Sequence, residues 1–377
     1  MEKKINVNTI PSLTWNWLKM NKDSVELADS FEKYEPVINN IPDGFSIDST
    51  KNHMIDFPLF GTAVANRANL KMPDSRVEET TKVQTFTFDS FGNHPLQKVF
   101  EPICNDEQFI KITDTPSAPL ILNFASKGNT VSAQTIYATE NTESTIIFVY
   151  NGDTKSQIIR TKIYAEENAK IHIIKVQLLD KNAVQLDDTA FIGEDNAKMQ
   201  FTQIELGGSH IDSGLHVNLK GYKSNFTSNV SYICKDNQYL DMNHIVYHYG
   251  KKSECKMDVN GTVKDDATKT YRGTIDFKNG CAGSKGNEME ETLLLSPTAV
   301  NKSLPVILCD EEDVEGEHGS TIGRISQDIL FYMQTRGITK EEAENLMTRA
   351  KVQAVADFIP SEDIKDKILN FINKEQD

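Results

Sequence analysis

Short runs of alternating apolar and polar residues follow one another from about residue 80 to residue 312. Clear examples are KVQTFTF, TIIFVY, KIHIIKVQLL and KMQFTQIEL, with turn-forming residues between them. No amphipathic helix of ten or more residues interrupts the series. Alternation with a period of two residues is typical of strands with one buried face. The pattern therefore predicts an all-β block.

An internal repeat favours one all-β architecture over the others. ENAKIHIIKVQL and DNAKMQFTQIEL share an Asn-Ala-Lys motif, which begins at Asn168 in the first segment and at Asn196 in the second. Cys255, Cys281 and Cys309 recur at nearly the same interval. A period near 28 is typical of one coil of a parallel β-helix, in which like residues stack on successive rungs. We therefore predict a β-helix with these cysteines along one wall; a sandwich with two similar hairpins is the alternative.

The regions on either side of this block have different patterns. Residues 1–79 are mixed: TWNWLKMNKDSVELADSF has helical spacing in part, with Trp15 and Leu18 three apart and Leu27 and Phe31 four apart, and the rest is rich in turn residues. We predict a partly helical N-terminal region over 1–79, a β-helix core over 80–320 and a helical domain over 321–377.

The helical domain has clear start and stop signals. Gly337 ends the first helix, Thr339 and Glu342 form a capping box for the second, and Pro360 ends the second before a third begins at Ser361. The spacing predicts these apolar faces: Ile325, Ile329, Leu330 and Met333 on the first helix; Ala343, Leu346, Met347, Ala350, Ala354 and Phe358 on the second; Ile364, Ile368, Leu369 and Ile372 on the third.

Composition and charge exclude several classes of function. The net charge of −15 lacks the basic balance that nucleic-acid binding requires. No run of 18 or more apolar residues occurs, so no membrane span is expected. The N-terminus has no continuous apolar segment of the secretory type, which predicts a cytoplasmic protein. The five cysteines include no C-x-x-C pair, so we expect reduced thiols rather than disulfides or a compact zinc site.

One histidine lies where the β block changes to helices. Residues 310–318, DEEDVEGEH, place six acidic residues before His318, and Gly319 follows it. Imidazole is a common ligand of transition metals, and thiolates bind iron–sulfur clusters. Cys309, nine residues before His318, is the best placed cysteine. The alternatives are a histidine hydrogen-bonded at a domain junction, a solvated acidic run, and cysteines that act as small apolar side chains.

The C-terminal third resembles the SufB/SufD family of iron–sulfur cluster assembly proteins. The resemblance rests on LLLSPTAVNKSLPVI, on the H-G-[SA]-T-x-G segment from His318 to Gly323, and on LFYMQTRGITKEEA. It is strong over residues 270–355, and LTWNWLKMN near the N-terminus is also similar to SufD-like proteins. The resemblance implies a mainly β fold: a right-handed parallel β-helix with helical flanking regions.

The same resemblance implies a non-catalytic scaffold subunit. In this family two β-helix subunits associate, and each carries a SufC ATPase on its C-terminal helices, so the partners expected here are a SufC-like ATPase and either a SufB-like paralogue or a second copy of this chain. The expected docking residues are Ile329, Leu330, Tyr332, Met333, Leu346 and Met347. ATP-driven movement would reshape the interface between the β-helices, where the cluster forms.

Two motif positions favour the SufD branch. The SufB branch has a cluster-building cysteine shortly before LLLS, where this chain has only Glu, Met, Glu and Glu at 288–291. The SufD branch contributes an interface histidine in a His-Gly pattern, which His318 and Gly319 match. The cysteine common two residues before that histidine is replaced by Gly316.

These observations give one leading hypothesis and two alternatives. His318 would ligate iron or a nascent cluster across the interface, with Glu317, Glu315 and Cys309 as further donors; the cluster would be transient and not tightly bound by this chain alone. One alternative is a purely structural subunit of the same complex. The other is a polysaccharide-acting β-helix enzyme with paired acids such as Asp265 and Asp266, against which the lack of an export signal counts.

Overall fold

The computed structural model describes residues 3–12, 14, 19–48 and 108–374. The strands of this part of the chain are β1 Lys3–Val7, β2 Asp23–Leu27, β3 Glu32–Lys33, β4 Phe45–Asp48, β5 Gln108–Ile112, β6 Leu120–Ala125, β7 Gly128–Ala138, β8 Glu143–Asn151, β9 Thr154–Ala165, β10 Lys170–Gln177, β11 Val184–Gly193, β12 Lys198–Glu205, β13 His210–Leu219, β14 Asn225–Cys234, β15 Tyr239–His248, β16 Glu254–Val263, β17 Thr268–Phe277, β18 Ser284–Leu294, β19 Val300–Cys309 and β20 Val314–Gly323. The helices are α1 Gln327–Thr335, α2 Lys340–Ala356 and α3 Glu362–Lys374.

Every second strand belongs to the same sheet. The even-numbered strands from β6 to β20 form one parallel sheet, which we call the even sheet, and the odd-numbered strands from β5 to β19 form the odd sheet. β4 adds antiparallel to β5, and β3 pairs with β7. Because each coil contributes one strand to each sheet and pairs with the coils before and after it, the fold is a parallel β-helix. The β-helix prediction is confirmed.

The interval between the two Asn-Ala-Lys motifs is one coil of this solenoid. β10 pairs with β12 so that Lys170 lies beside Lys198. Asn168 and Asn196 both have left-handed backbone conformations, with φ of 59° and 57°. Asparagine tolerates that conformation better than most residues because its short amide can bond locally. Asn168 also donates from Nδ2 to Oδ1 of Asn141 at 3.1 Å, on the previous coil. The Asn-Ala-Lys motif is therefore a corner of the solenoid.

Changing this corner should cost stability without touching the core. Asn168 is exposed, so replacing it by valine removes no buried contact, yet a β-branched residue in the left-handed region should lower the free energy of unfolding by about 1–2 kcal/mol. Asn168→Gly, which accepts the same φ, should change it by about 0.5 kcal/mol or less. Denaturant unfolding measures both changes. Equal effects of the two substitutions would show that the corner does not require a residue that tolerates the left-handed conformation.

The interior is lined by apolar side chains, and separate segments cover both outer faces. On the even sheet, alternate residues such as Ile171 and Ile173 point into the solenoid. The residues between them, such as Ile174, pack against Val352 of α2 and Ile368 of α3. On the odd sheet, Val7, Val25 and Leu27 of β1 and β2 pack over the outward-facing Ile158 and Leu186. Since both faces are covered, many strands are buried at nearly every position, polar residues included.

The structure differs from the predicted N-terminal helix at Leu27. The helical spacing around Leu27 and Phe31 was misleading, because residues 23–27 form β2 and cover the odd sheet. A strand with both faces in contact can imitate helical spacing over a few residues. Trp15, Leu18, Cys104 and the boundary between residues 79 and 80 lie outside the described residues.

The helix boundaries are confirmed, but the predicted face of α2 is wrong, and Ile329 of the predicted α1 face is exposed. Gly337 follows α1 with φ of 84°, and Thr339 and Glu342 form both halves of the capping box. On α2 the predicted face included Leu346 and Phe358, which are exposed, along with exposed Ala350 and Ala354. The buried residues are Ala343, Glu344, Thr348, Val352, Val355 and Ala356. This face includes a carboxylate, with Glu344 Oε2 3.9 Å from Lys264 Nζ, so apolar spacing alone selected the wrong side.

The expected stack of cysteines is also wrong. Cys255 lies in the even sheet beside Gly286, Cys309 lies in the odd sheet beside Phe277, and Cys281 lies in the turn between β17 and β18. The last coils have longer turns than the coils that carry the Asn-Ala-Lys motifs. Cysteines that recur at the interval of the earlier coils consequently fall on different walls here.

None of the described helices combines the length and the apolar character needed to cross a lipid bilayer.

Candidate functional site

The solenoid has an open C-terminal end. β19 and β20 are the terminal strands of their sheets, each with one strand partner among the described residues. Every residue of β17 after the first is buried, whereas no residue of β19 or β20 is. Interior side chains of the last coil, together with the free hydrogen-bonding edges of two strands, are therefore exposed at this end.

His318 lies on this open coil and shares its face with the solenoid interior. In β20 it pairs with Glu288 of β18. A Cβ at Gly316, two residues earlier, would meet the interior side chains of Phe277 and Ile307. Since side chains two residues apart share one face of a strand, His318 faces the interior of the last coil. The imidazole is exposed because no further coil covers it.

Glu315 and Glu317 are on the other face of the same strand. Glu315 Oε2 lies 2.8 Å from Lys285 Nζ, and Glu317 Oε2 accepts a 3.1 Å hydrogen bond from Asn287 Nδ2. Both pairs are exposed and run along the outside of the even sheet. The structure therefore does not bring the two predicted oxygen donors together with His318.

Cys309 ends β19, on the opposite sheet of the same coil. Its thiol is exposed and donates to the carbonyl of Glu311 at 3.0 Å. The other three cysteines among the described residues are buried, and burial raises the pKa of the Cys234 and Cys255 thiols to about 12. Of the described cysteines, only Cys309 is thus accessible to a ligand at the open end.

Two buried carboxylates lie just below the open coil. Glu290 forms an ion pair with Lys269, and both side chains are fully buried. It also accepts hydrogen bonds from Ser303 of β19 and from Ser320 of β20, the latter at 3.1 Å. One carboxylate therefore connects the two terminal strands across the interior.

The second carboxylate, Glu288, is directly beneath His318. Its side chain is buried and close to the Tyr271 hydroxyl, since a Cβ at Gly273 would meet both groups. Burial, followed by the charge of Glu290, raises the pKa of Glu288 to about 7, although Lys269 and Tyr271 act in the opposite direction. A carboxyl group of this kind can exchange a proton near neutral pH or serve as an oxygen ligand.

Sequence reasoning missed Glu288, Glu290 and Lys269. The signal was present, because Glu288 precedes His318 by one coil, and Glu288 and Glu290 are alternate residues of one strand. To place Glu288 beside His318, one must know the exact length of the last coil. That coil is longer than the earlier coils from which the repeat was read.

The predicted docking residues separate into two groups. Ile329, Tyr332 and Leu346 are exposed, at 48%, 59% and 49% of their surface. Leu330 is buried, and Met333 and Met347 pack beside it against Leu293, Ile325 and Ala343. Phe331, which was not predicted, is the most exposed at 69%. We call Ile329, Phe331, Tyr332 and Leu346 the helix patch.

A protein-family model described as the SufBD core domain of the SUF system of iron–sulfur cluster assembly matches residues 122–351. The matched range includes most of the solenoid, His318 and the helix patch.

Individual relatives show more limited similarity. The iron–sulfur cluster assembly protein SufD of Bacillus subtilis is 31% identical over 129 residues, which are 34% of this chain and 30% of the relative. SufD of Plasmodium berghei is 24% identical over 218 residues, 57% of this chain and 16% of the relative. An iron–sulfur cluster assembly SufBD family protein of Pyrococcus horikoshii is 23% identical over 249 residues, which are 58% of this chain and 55% of the relative. The alignments thus cover 16–55% of these relatives' lengths.

Proposed function

This chain belongs to the SufB/SufD family, and from that premise we propose that it is a scaffold subunit of a Suf-type iron–sulfur cluster assembly complex. The proposal gives ATP hydrolysis to a SufC-like partner and no catalytic step to this chain. Its role is to hold, at a subunit interface, donor groups on which iron and sulfide are collected as cargo.

The observation that carries the proposal is the open last coil. It exposes one imidazole, His318, above a carboxyl group, Glu288, whose pKa is raised to about 7, and it exposes one thiol, Cys309, on the facing sheet. Imidazole and thiolate are ligands that iron accepts.

The partner at this end should be a second β-helix. The edges of β19 and β20 offer unpaired backbone donors and acceptors, which a coil from another solenoid can satisfy by continuing the stack. We favour a SufB-like paralogue over a second copy of this chain. Clusters are held mainly by thiolates, and this chain exposes only one among its described cysteines, so the partner must supply more.

Within this proposal Glu288 replaces Glu315 and Glu317 as the oxygen donor nearest His318. The two exposed glutamates already have partners on the outside of the even sheet. They remain available for contact with a neighbouring subunit, but they do not share a face with the imidazole.

The helix patch is the proposed ATPase docking surface. Its four apolar side chains are exposed on α1 and the first half of α2, while Leu330, Met333 and Met347 fix the two helices to the end of the solenoid. A movement of the docked ATPase that displaces α1 and α2 would therefore also displace Leu293 at the end of β18. Glu288 lies on the same strand.

Co-expression with a SufC-like ATPase and a SufB-like paralogue, followed by pull-down, tests the docking surface. Phe331→Asp should weaken ATPase binding by roughly tenfold or more, since exposed aromatic residues are common hot spots of interfaces. Phe358→Asp is the matched control: Phe358 is 46% exposed but follows the other end of α2. Its complex should form normally. If both variants bind the ATPase as the wild type does, the helix patch is not the docking surface.

A further inference from the structure

Away from the open end, three potential metal ligands meet where the N-terminal strands cover the odd sheet. Asp23 begins β2, and His210 and Asp212 begin β13. His210 Nε2 is 2.9 Å from Asp23 Oδ2 and 3.2 Å from Asp212 Oδ2. One ligand atom from each residue lies within 4.8 Å of the others. The group therefore joins two segments that are far apart in the sequence.

The separations between these atoms are those of ligands around one ion. For metal–ligand distances of about 2.1 Å, neighbouring ligands are about 3.0 Å apart in an octahedral site and about 3.4 Å apart in a tetrahedral one. The observed 2.9 Å and 3.2 Å are in this range. One imidazole nitrogen with two carboxylate oxygens is a donor set suited to divalent first-row metals.

A second observation concerns Asp212 itself. Its side chain is completely buried, and its Oδ1 has no hydrogen-bond partner among the described residues. A buried carboxylate oxygen without a donor is costly unless a cation is near it. This buried oxygen is therefore available to a cation.

The balance of charges in this group also favours a bound cation. The buried or half-buried acids here are Asp23, Asp212 and Asp241, and Arg272 pairs with Asp241. With all three carboxyl groups ionised, even a protonated His210 would leave one negative charge in excess. A divalent ion bound to neutral His210 would balance the group completely, which lowers the cost of keeping it away from water.

The surroundings of the ligands are already organised. Tyr239 donates its hydroxyl to Asp23 Oδ1 at 3.0 Å, so the other oxygen of Asp23 is turned toward His210. The Tyr239 ring also packs against the imidazole, with ring centroids 4.7 Å apart. Fixed orientation by such neighbours is typical of metal ligands. His210 is 25% exposed, which leaves a path for the ion and room for water ligands.

We propose that Asp23, His210 and Asp212 bind one divalent first-row metal ion, of the Zn²⁺ or Mn²⁺ type, which ties the N-terminal strand pair to the solenoid. This site is separate from the proposed assembly site, and neither proposal depends on the other.

Zinc binding by the isolated, tag-free full chain tests the proposal. In a background carrying His318→Ala and Cys309→Ser, to remove the ligands of the open end, equilibrium dialysis against Zn²⁺ should show one ion per chain. His210→Gln and Asp212→Asn should each weaken binding roughly tenfold to a hundredfold. His172→Gln is the matched control: His172 is on the even sheet, bonded to Thr202, and its loss should leave zinc binding unchanged.

X-ray absorption at the zinc edge should show nitrogen and oxygen neighbours without sulfur. Asp23→Asn, a change on the covering strand rather than in the solenoid, provides a second test if either substitution in β13 prevents folding. The proposal is overturned if the background protein takes up no zinc, if uptake is unchanged in the variants of the three ligands, or if the zinc has sulfur neighbours.

Discussion

Replacing His318 by alanine is expected to reduce the iron and sulfide retained by the reconstituted complex by roughly tenfold or more, while the chain stays folded. The imidazole is exposed on the terminal strand, so its truncation creates no cavity in the solenoid. It is also the group that faces the interior of the open coil, above Glu288. The measurement is iron and acid-labile sulfide per complex after assembly with a SufB-like paralogue and a SufC-like ATPase.

Glu317→Ala provides a control from the neighbouring position. Glu317 is exposed on the same strand but on its other face, bonded to Asn287, so its removal should leave cluster retention near the wild-type level. Circular dichroism should be the same for both variants. If His318→Ala assembles clusters at the normal rate, the chain is a structural subunit without cluster ligands, and the ligand role is wrong.

Replacing Lys269 by methionine should lower the free energy of unfolding by about 3–5 kcal/mol. Lys269 and Glu290 are completely buried and form an ion pair inside the solenoid. Methionine fills most of the space but leaves the Glu290 carboxylate without its cation. The cost comes mainly from that uncompensated buried charge. Denaturant unfolding followed by far-ultraviolet circular dichroism measures the change.

The double substitution Lys269→Met with Glu290→Met separates charge from packing. It removes both charges, so most of the lost stability should return; Ser320, which bonds Glu290, is exposed and can bond water instead. Lys256→Met is the surface control, because its pair with Asp258 is largely exposed and should contribute little. A Lys269→Met protein as stable as the wild type would mean that the buried pair is not maintained as an ion pair.

The solenoid could be predicted from the sequence because successive coils repeat the same backbone conformation and the same apolar pattern. A left-handed residue recurs in successive coils at the corners that lead from the odd sheet to the even sheet, and many strands alternate apolar positions, so Asn168 and Asn196 reveal the period directly. The face of α2 was not predictable in this way. Its buried side is chosen by the even sheet it covers, which accepts Glu344 and Thr348 as well as Val352. Tertiary contacts, rather than the apolar pattern, decide such a face.

The candidate site could be predicted from the sequence only where the functional residue lies within a short local motif. His318 was found because its motif is local. Glu288 was missed because its relation to His318 depends on the length of one coil, and Glu315 and Glu317 were placed wrongly beside His318 because neighbours in a strand point in opposite directions. Proximity in sequence is therefore a poor guide to a shared site within a strand.

The acidic turn between β19 and β20 has a consequence for how unassembled chains behave toward each other. Asp310, Glu312 and Asp313 are exposed beside the open coil, with Glu315 and Glu317 close behind. Two identical ends brought face to face would press like charges together within a screening length of about 8 Å. Such repulsion opposes end-to-end association of identical chains through their free strand edges, as charged residues do on the edge strands of other sheets. A partner with a basic or neutral rim would meet no such barrier.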